Sequence, residues 1–487
     1  MTNLGLDSYG RSSAPDPDPR QLTVGQVHLG LGAFHRAHQN VYTEDAIRLT
    51  GEKHWGVAAF TQRSGAAAAL LAPQDGLYTV IEKGAEAAPP RIVGVLREVA
   101  DAAAEPAALI ERMSDPAVHV VTLTVTEKGY RHDPVTRRLR LDDPDVRADL
   151  TSPTPRTVPA VLAVAMARRA SAGAGPLTVI SCDNLHDNGA LLRALVAEYA
   201  DAAGLRVDLD GPAAMASFPS TVVDRIVPAT TAADLSELQS LTAVHDKSPV
   251  VCEPFRQWVL EDNFAGPVPG WSQVGAHVVA DAAPWEQLKL RMLNAAHSTL
   301  AYVGLRLGHR SIAEAVQDKT LTELCRRLFH DDVLPSLSAP PGVDVTAYGE
   351  SVLERFSNRA LPHTTLQVAA DGSQKIGPRL LSTVAARAAQ GATASWAALG
   401  IAGWALHVID PIDAGGQPTA LNDPRSDMLR EIAAGVTVPV AVRRLMTDPT
   451  LVGAELARDT TFADSVVQLA DDLHRHGSAA LHNEVRT

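Results

Sequence analysis

The sequence is short of several things, and each shortage removes a class of protein. Cysteine is scarce: Cys182, Cys252 and Cys325 stand far apart in a chain of 487 residues, with no CxxC pair. A disulfide framework and a structural zinc site both need matched cysteine spacings, so neither is expected, and the three read as buried thiols. Positive charge is in deficit, with 43 Lys and Arg against 56 Asp and Glu. Nucleic-acid and anionic-membrane surfaces need clustered cations, so no nucleic-acid or membrane partner is expected. Long apolar runs are missing as well. The longest, Ala394 to Ile409, is rich in Ala and Gly and too short for a bilayer span. Residues 1–20 lack the apolar stretch of a signal peptide and end in Pro15-Asp16-Pro17-Asp18-Pro19. They read as a flexible arm, and the cytoplasm is the expected location.

What is present divides in two. A chain this long exceeds what one hydrophobic core usually supports. The front half alternates β-branched runs with helical stretches. Candidate strands are Val27–Leu31, Trp55–Thr61, Val118–Thr124, Leu177–Ser181 and Val274–Val279. Candidate helices are Arg36–Leu49, Ala102–Met113, Val158–Ala170 and Gly189–Ala203. This alternation predicts βαβ units around a mostly parallel sheet. After Asp281 only helical segments follow: Pro284–Leu305, Ile312–Leu334, Val345–Phe356, Gly377–Gln390 and Ser395–Val408, with more helix from Asp427. The loop Asp410–Pro424 reads as a surface excursion. The expected domains are 21–283, α/β, and 284–487, mostly α-helical.

The first strand runs into Gly30-Leu31-Gly32-Ala33-Phe34. Gly30 suits a tight turn, Gly32 a close approach by a pyrophosphate, and the helix that opens next offers free N–H groups. The third glycine of the dinucleotide fingerprint is absent, His35 standing in its place. The acid expected at the end of the second strand is also absent; the residues are Thr61-Gln62-Arg63. A carboxylate there would hold ribose hydroxyls, whereas Arg63 suits a 2′-phosphate, so NAD and NADP both stay open.

The segment Pro284 to His297 carries a base, an amide and an imidazole. On a regular α-helix Lys289, His297 and Asn294 fall at about 0°, 80° and 140°, with Lys289 and His297 about 12 Å apart along the axis. Alcohol oxidation without a metal needs a positioned base, and a desolvated lysine serves. Amide donors steady a developing alkoxide. Glu127 and Asn184 follow the carboxyl ends of candidate strands, where parallel sheets collect ligands.

Over these residues, and over nearly the whole chain from Gln26 onward, the sequence resembles the mannitol dehydrogenase family of polyol-specific long-chain dehydrogenases. The resemblance rests on HLGLGAFHRAHQ (28–39), LTVTEKGY (123–130), SCDNLHDNG (181–189), FPSTVVDRIVPAT (218–230), EPFRQWVLEDNF (253–264) and KLRMLNAAHS (289–298). It implies a Rossmann-type N-terminal domain followed by a helical one and no catalytic metal, in a family many of whose members are monomers, so that a monomer is expected with an oligomer left open. It assigns the general base to Lys289, the oxyanion pair to Asn184 and Asn294, substrate orientation to His297 and proton relay to Glu127. Asp224 would lie beside nicotinamide and substrate, and Gly30, Gly32, Ala33 and Phe34 would form the coenzyme loop for NAD, with NADP open through Arg63. Arg256 and Gln367 resemble the branch that interconverts mannonate and fructuronate; Arg256 and Lys375 are its candidate carboxylate partners. The alternatives are a mannitol or arabinitol 2-dehydrogenase and a non-catalytic sugar- or dinucleotide-binding protein. A zinc alcohol dehydrogenase finds no first shell among the scattered cysteines.

Overall fold

The computed structural model describes residues 2–7, 15–242, 244–361 and 363–486. The chain forms two compact units, Met1–Ala283 and Pro284–Thr487.

The first unit is built on six parallel strands. They are β1 (Val24–Leu29), β2 (Gly56–Thr61), β3 (Leu96–Asp101), β4 (Val120–Leu123), β5 (Leu177–Ser181) and β6 (Ala216–Ser217). Their order is β3-β2-β1-β4-β5-β6, every pair parallel. Strand order reverses between β1 and β4, and a ligand crevice opens outside the carboxyl ends of such a pair. β2 is buried along its whole length, so it cannot alternate apolar with polar. Its residues still alternate in direction. Val57 and Ala59 pack with Tyr42 and Trp258 on one face, Ala58 and Phe60 with Leu162 and Leu195 on the other. The helix Val158–Ala172 has proline in its first turn and ends at Gly173 in the left-handed region, φ 67°.

Three expectations need correcting here. The helix expected over 36–49 is broken at His38, giving Ala33–Ala37 and Gln39–Thr50, because the His38 Nε2 bonds the Gln257 carbonyl. The strand expected over 274–279 survives only as His277–Val279, outside the main sheet and beside Gln257–Glu261, itself paired with Thr221–Asp224. The arm expected to be flexible is tied down where it is described. Thr2–Asn3 pairs with Val244–His245, and Leu4 and Pro15 are buried. Residues 8–14 of that arm lie outside the described residues.

No strand occurs among the described residues of the second unit. Its central helix, Ser395–Ile409, is apolar all round and buried from Ala397 to Val408. It packs on the helices Ala295–Arg306 and Thr460–His476. Gly400 permits that approach, since a Cβ there would lie 2.7 Å from the Thr299 Oγ1. Three stretches of this unit are π-helical: Lys289–Asn294, Leu328–Val333 and Gly377–Leu381. The first and third pack against each other. Among the described residues no helix is long and apolar enough to cross a membrane.

Candidate functional site

The glycine turn closes β1. Gly30 has φ 96°, and a Cβ on it would stand 2.2 Å from the Thr124 carbonyl oxygen. Gly30 is therefore fixed by the protein itself. Gly32 is not, because a Cβ there meets only the Gly30 oxygen at 3.6 Å. A chain of bonds holds the turn. The His28 Nδ1 is 2.8 Å from the Thr122 Oγ1 and its Nε2 3.0 Å from the Thr124 Oγ1, and that hydroxyl donates to the Gly30 carbonyl at 2.9 Å. The His35 ring, from the short helix after the turn, stacks on His28 at 3.3 Å. Burial drives the His28 pKa down to about 3 and that of His35 well below the ordinary range, so both rings are neutral.

Open space lies at the carboxyl ends of β1, β2 and β4. A recess of about 170 Å³ is lined by Gly30, Leu31, Thr61 to Ser64 and Thr124 to Thr126. It shares Gln62, Arg63 and Val125 with a cavity of about 670 Å³ that reaches Ala102, Lys128 and Arg156. The Arg63 Nη2 donates to the Thr126 Oγ1 at 3.1 Å. An unobstructed Gly32, the opening helix turn with Ala33 and Phe34, and this cavity at the switch point fit a dinucleotide.

The next two loops carry Glu127 and Asn184, both exposed. Asp183 joins those loops. Its carboxylate accepts from the Val125 N–H at 3.1 Å, the Thr126 N–H at 2.9 Å and the Tyr130 hydroxyl at 2.7 Å. Burial raises the Asp183 pKa, and these bonds oppose the rise. Asn188 continues the network: its amide donates to the carbonyls of Asp183 and Thr221 and accepts the Thr221 N–H. That fixes the strand Thr221–Asp224, at whose end Asp224 is 5% exposed. Asp183 and Asn188 escaped the sequence reading, because an acid or amide after a strand looks like an ordinary loop cap.

Arg256 is already matched. Its guanidinium pairs with Asp45 at 2.6 Å and lies over the Tyr42 ring at 4.3 Å. The expectation of a cation held ready for a substrate carboxylate meets a side chain committed within its own unit. Gln367, noted for its branch resemblance, forms a capping box with Thr364 at the start of the helix Thr365–Ala369.

In the second unit Lys289 and Asn294 are the two ends of a π-helical stretch. The regular spacing of 0°, 80° and 140° therefore does not hold. A π turn, bonded i to i+5, takes about one more residue than an α turn, which brings Asn294 back nearer the Lys289 face. Arg291 anchors the stretch from inside: its Nε donates to the Thr383 Oγ1 at 3.0 Å and its Nη1 to the Ser336 carbonyl at 2.8 Å. Lys289 is 7% exposed. The His297 ring stacks on Phe356 at 4.9 Å and lies 5.8 Å from the His363 ring. Its buried Nε2 has no hydrogen-bond partner among the described residues. Burial first, then the neighbouring His363, Arg379, Lys375 and Arg355, hold its pKa well below the ordinary range. The Lys375 Nζ donates to the carbonyls of Val368 at 3.4 Å and Ala370 at 2.5 Å. Among the described residues no group of His, Cys, Asp and Glu is placed to hold a metal.

Residues 24–273 match the model of the mannitol dehydrogenase Rossmann domain, and residues 281–474 that of the mannitol dehydrogenase C-terminal domain. The chain is 39% identical over 471 residues to the oxidoreductase YeiQ of Escherichia coli K12, covering 96% of this chain and 95% of that one. It is 36% identical over 487 residues to the D-mannonate oxidoreductase of the same organism, covering 98% and 99%. Among solved structures it is similar to Pseudomonas fluorescens mannitol 2-dehydrogenase in ternary complex with NAD and D-mannitol. That match has a TM-score of 0.86 and 30% identity over the whole of both chains. With both domain models matched in order and these relatives matched end to end, the chain belongs to the mannitol dehydrogenase family of oxidoreductases acting on CH–OH groups.

Proposed function

We propose that this enzyme interconverts a sugar-derived ketose and its secondary alcohol with NAD as coenzyme, and that its substrate is a hexuronate, fructuronate reduced to mannonate. The observation that carries the reading is the pair of cations beside His297: Arg379, bonded to the next residue Ser298, and Lys375, which bonds only backbone carbonyls among the described residues. A neutral polyol has no use for such a group, whereas a carboxylate does. The 36% identity to the D-mannonate oxidoreductase along its full length supports it. Mannitol and fructose are the second reading, favoured by the likeness to the mannitol 2-dehydrogenase complex and by the pairing of Arg256 with Asp45.

The proposal gives hydride handling to the first unit and proton handling to the second. NAD supplies the hydride acceptor, and its reduced form the donor. Gly30, Gly32, Ala33 and Phe34 seat the pyrophosphate, and Arg63 stands where the adenosine ribose is read. Asp224 borders the nicotinamide and the substrate. In oxidation the buried Lys289 takes the proton from the substrate hydroxyl; in reduction it returns one to the ketone oxygen. Asn184 and Asn294 donate to the oxygen as it gains negative charge. The His297 Nε2 finds its missing partner in a substrate hydroxyl, and Glu127, exposed, passes protons to water.

The test follows NADH and NADPH oxidation by absorbance with fructuronate and with fructose. Turnover of fructuronate supports the hexuronate reading, and turnover of fructose alone replaces it with the second. Lys289→Ala lowers kcat by about 10²–10⁴ on whichever substrate is used, as loss of acid–base catalysis does. An unchanged kcat removes Lys289 from the mechanism.

A further inference from the structure

We propose that Arg379 is the residue that reads the substrate carboxylate, with Lys375 as the second cation. The inference rests on the hexuronate reading and gives the selectivity to a residue that neither motif nor spacing had marked.

Arg379 sits on the π turn Gly377–Leu381, packed against both the π turn Lys289–Asn294 and the helix Ala295–Arg306. Its Nη1 donates to the Ser298 Oγ at 2.9 Å, and Ser298 is the residue after His297. This is its single hydrogen bond among the described residues, out of the five N–H groups a guanidinium offers. No carboxylate among the described residues lies within ion-pair distance of either Arg379 or Lys375. Other sequestered arginines of this protein differ. Arg225 pairs with Glu82, Arg256 with Asp45, and Arg291 spends its donors on Thr383 and Ser336.

The acids that face Lys375 are Asp371 and Asp423. Asp423 is occupied, accepting from the Ser373 N–H and hydroxyl and from the Arg425 N–H. Two like charges held together away from water raise the energy of the empty enzyme, and a bound anion removes that cost. A planar fork with spare donors matches a carboxylate through paired bonds, which a lysine cannot offer. Burial also pulls the Arg379 pKa down to about 10, consistent with a cation lacking its counter-charge.

The experiment compares wild type, Arg379→Gln and Arg379→Lys for NADH-dependent reduction of fructuronate and of fructose. The expected result is a fall of about 100-fold in the fructuronate-to-fructose ratio of kcat/KM for Arg379→Gln, since an unmatched charge pair costs on that scale. The fall is carried by KM, and Arg379→Lys recovers part of it by restoring charge without the fork. If Arg379→Gln does not fold, Arg379→Lys alone must still lower the ratio. If wild type reduces fructuronate and the ratio is unmoved, the hexuronate reading stands and the role of Arg379 is overturned. If wild type reduces no hexuronate, both fall together.

Discussion

Gly30 and Gly32 stand two residues apart and answer to different demands. Gly30 is held at φ 96° with the Thr124 carbonyl where its Cβ would be. Gly30→Ala is expected to cost about 2–4 kcal/mol of stability, the sum of a strained backbone and a displaced loop. Gly32 has ordinary space around it and an extended backbone at φ −124°. Gly32→Ala is expected to unfold at nearly the wild-type temperature while binding NADH about tenfold or more weakly, because only a ligand needs that space. Thermal unfolding and coenzyme titration of both variants check this; equal destabilisation by the two would contradict it. The bond chain from Thr122 through His28 and Thr124 to Gly30 makes a finer prediction. Thr124→Val keeps the shape and removes the hydroxyl, so the NADH KM rises several-fold more than kcat falls. A change confined to kcat counts against this role. The glycines were legible in the sequence because a turn leaves a residue signature. Asp183 was not, since its work is to receive three donors from a loop more than fifty residues earlier.

At the scale of the element, the π turn Lys289–Asn294 matters most. Lysine, asparagine and histidine in one helical stretch could be read from spacing, and so could that helix's start near Pro284. The extra residue in the turn could not, because helix propensity is blind to whether bonds run i to i+4 or i to i+5. The distortion comes from tertiary packing: Arg291 is pinned by Ser336 and Thr383, and the turn Gly377–Leu381 lies against it. Deleting Leu290, which is only partly buried, removes the extra residue and returns the stretch to α geometry. We expect such a variant to keep its helical circular dichroism and lose at least about 10² in kcat, the cost of displacing catalytic groups by an ångström or so. Activity near wild type would mean that the π geometry is incidental. The small sheets of the first unit were similarly hidden. Tyr78–Glu82 and Val250–Cys252 are short strands, and their pairing joins segments about 170 residues apart, which local pattern cannot show.

At the scale of the whole molecule, buried titratable groups set the response to acid. Nine imidazoles are pulled below the ordinary 6.5 by burial: His28 and His38 to about 3, His407 to about 4, His35 and His297 well below, and His119, His132, His277 and His363 also down. Below pH 6.5 these rings take up protons when the chain unfolds but hold fewer while it is folded. The unfolded state thus binds more protons, and stability falls as pH drops. Three carboxylates act the other way. Burial raises Glu44 to about 7, Asp332 to about 6, and Asp183 above its ordinary value. Folded, these hold protons that the unfolded chain has released, so each adds stability as pH drops from its raised folded value towards the ordinary carboxylate range. Nine imidazoles against three carboxylates leave a net loss of stability as pH falls below 6.5, down to about 4, where His407 begins to titrate in the folded state. The melting temperature is therefore expected to fall from pH 7.5 to pH 5. Scanning calorimetry across that range checks the sign; a flat or rising melting temperature would show that the carboxylates dominate. His407 offers the dissection, since it is buried on the central helix Ser395–Ile409 and has no role assigned in the chemistry. His407→Asn lowers stability at pH 7.5 through lost packing, but it removes one imidazole from the balance. Its melting temperature must therefore fall less steeply with acid than that of wild type, and an identical slope would remove His407 from the set.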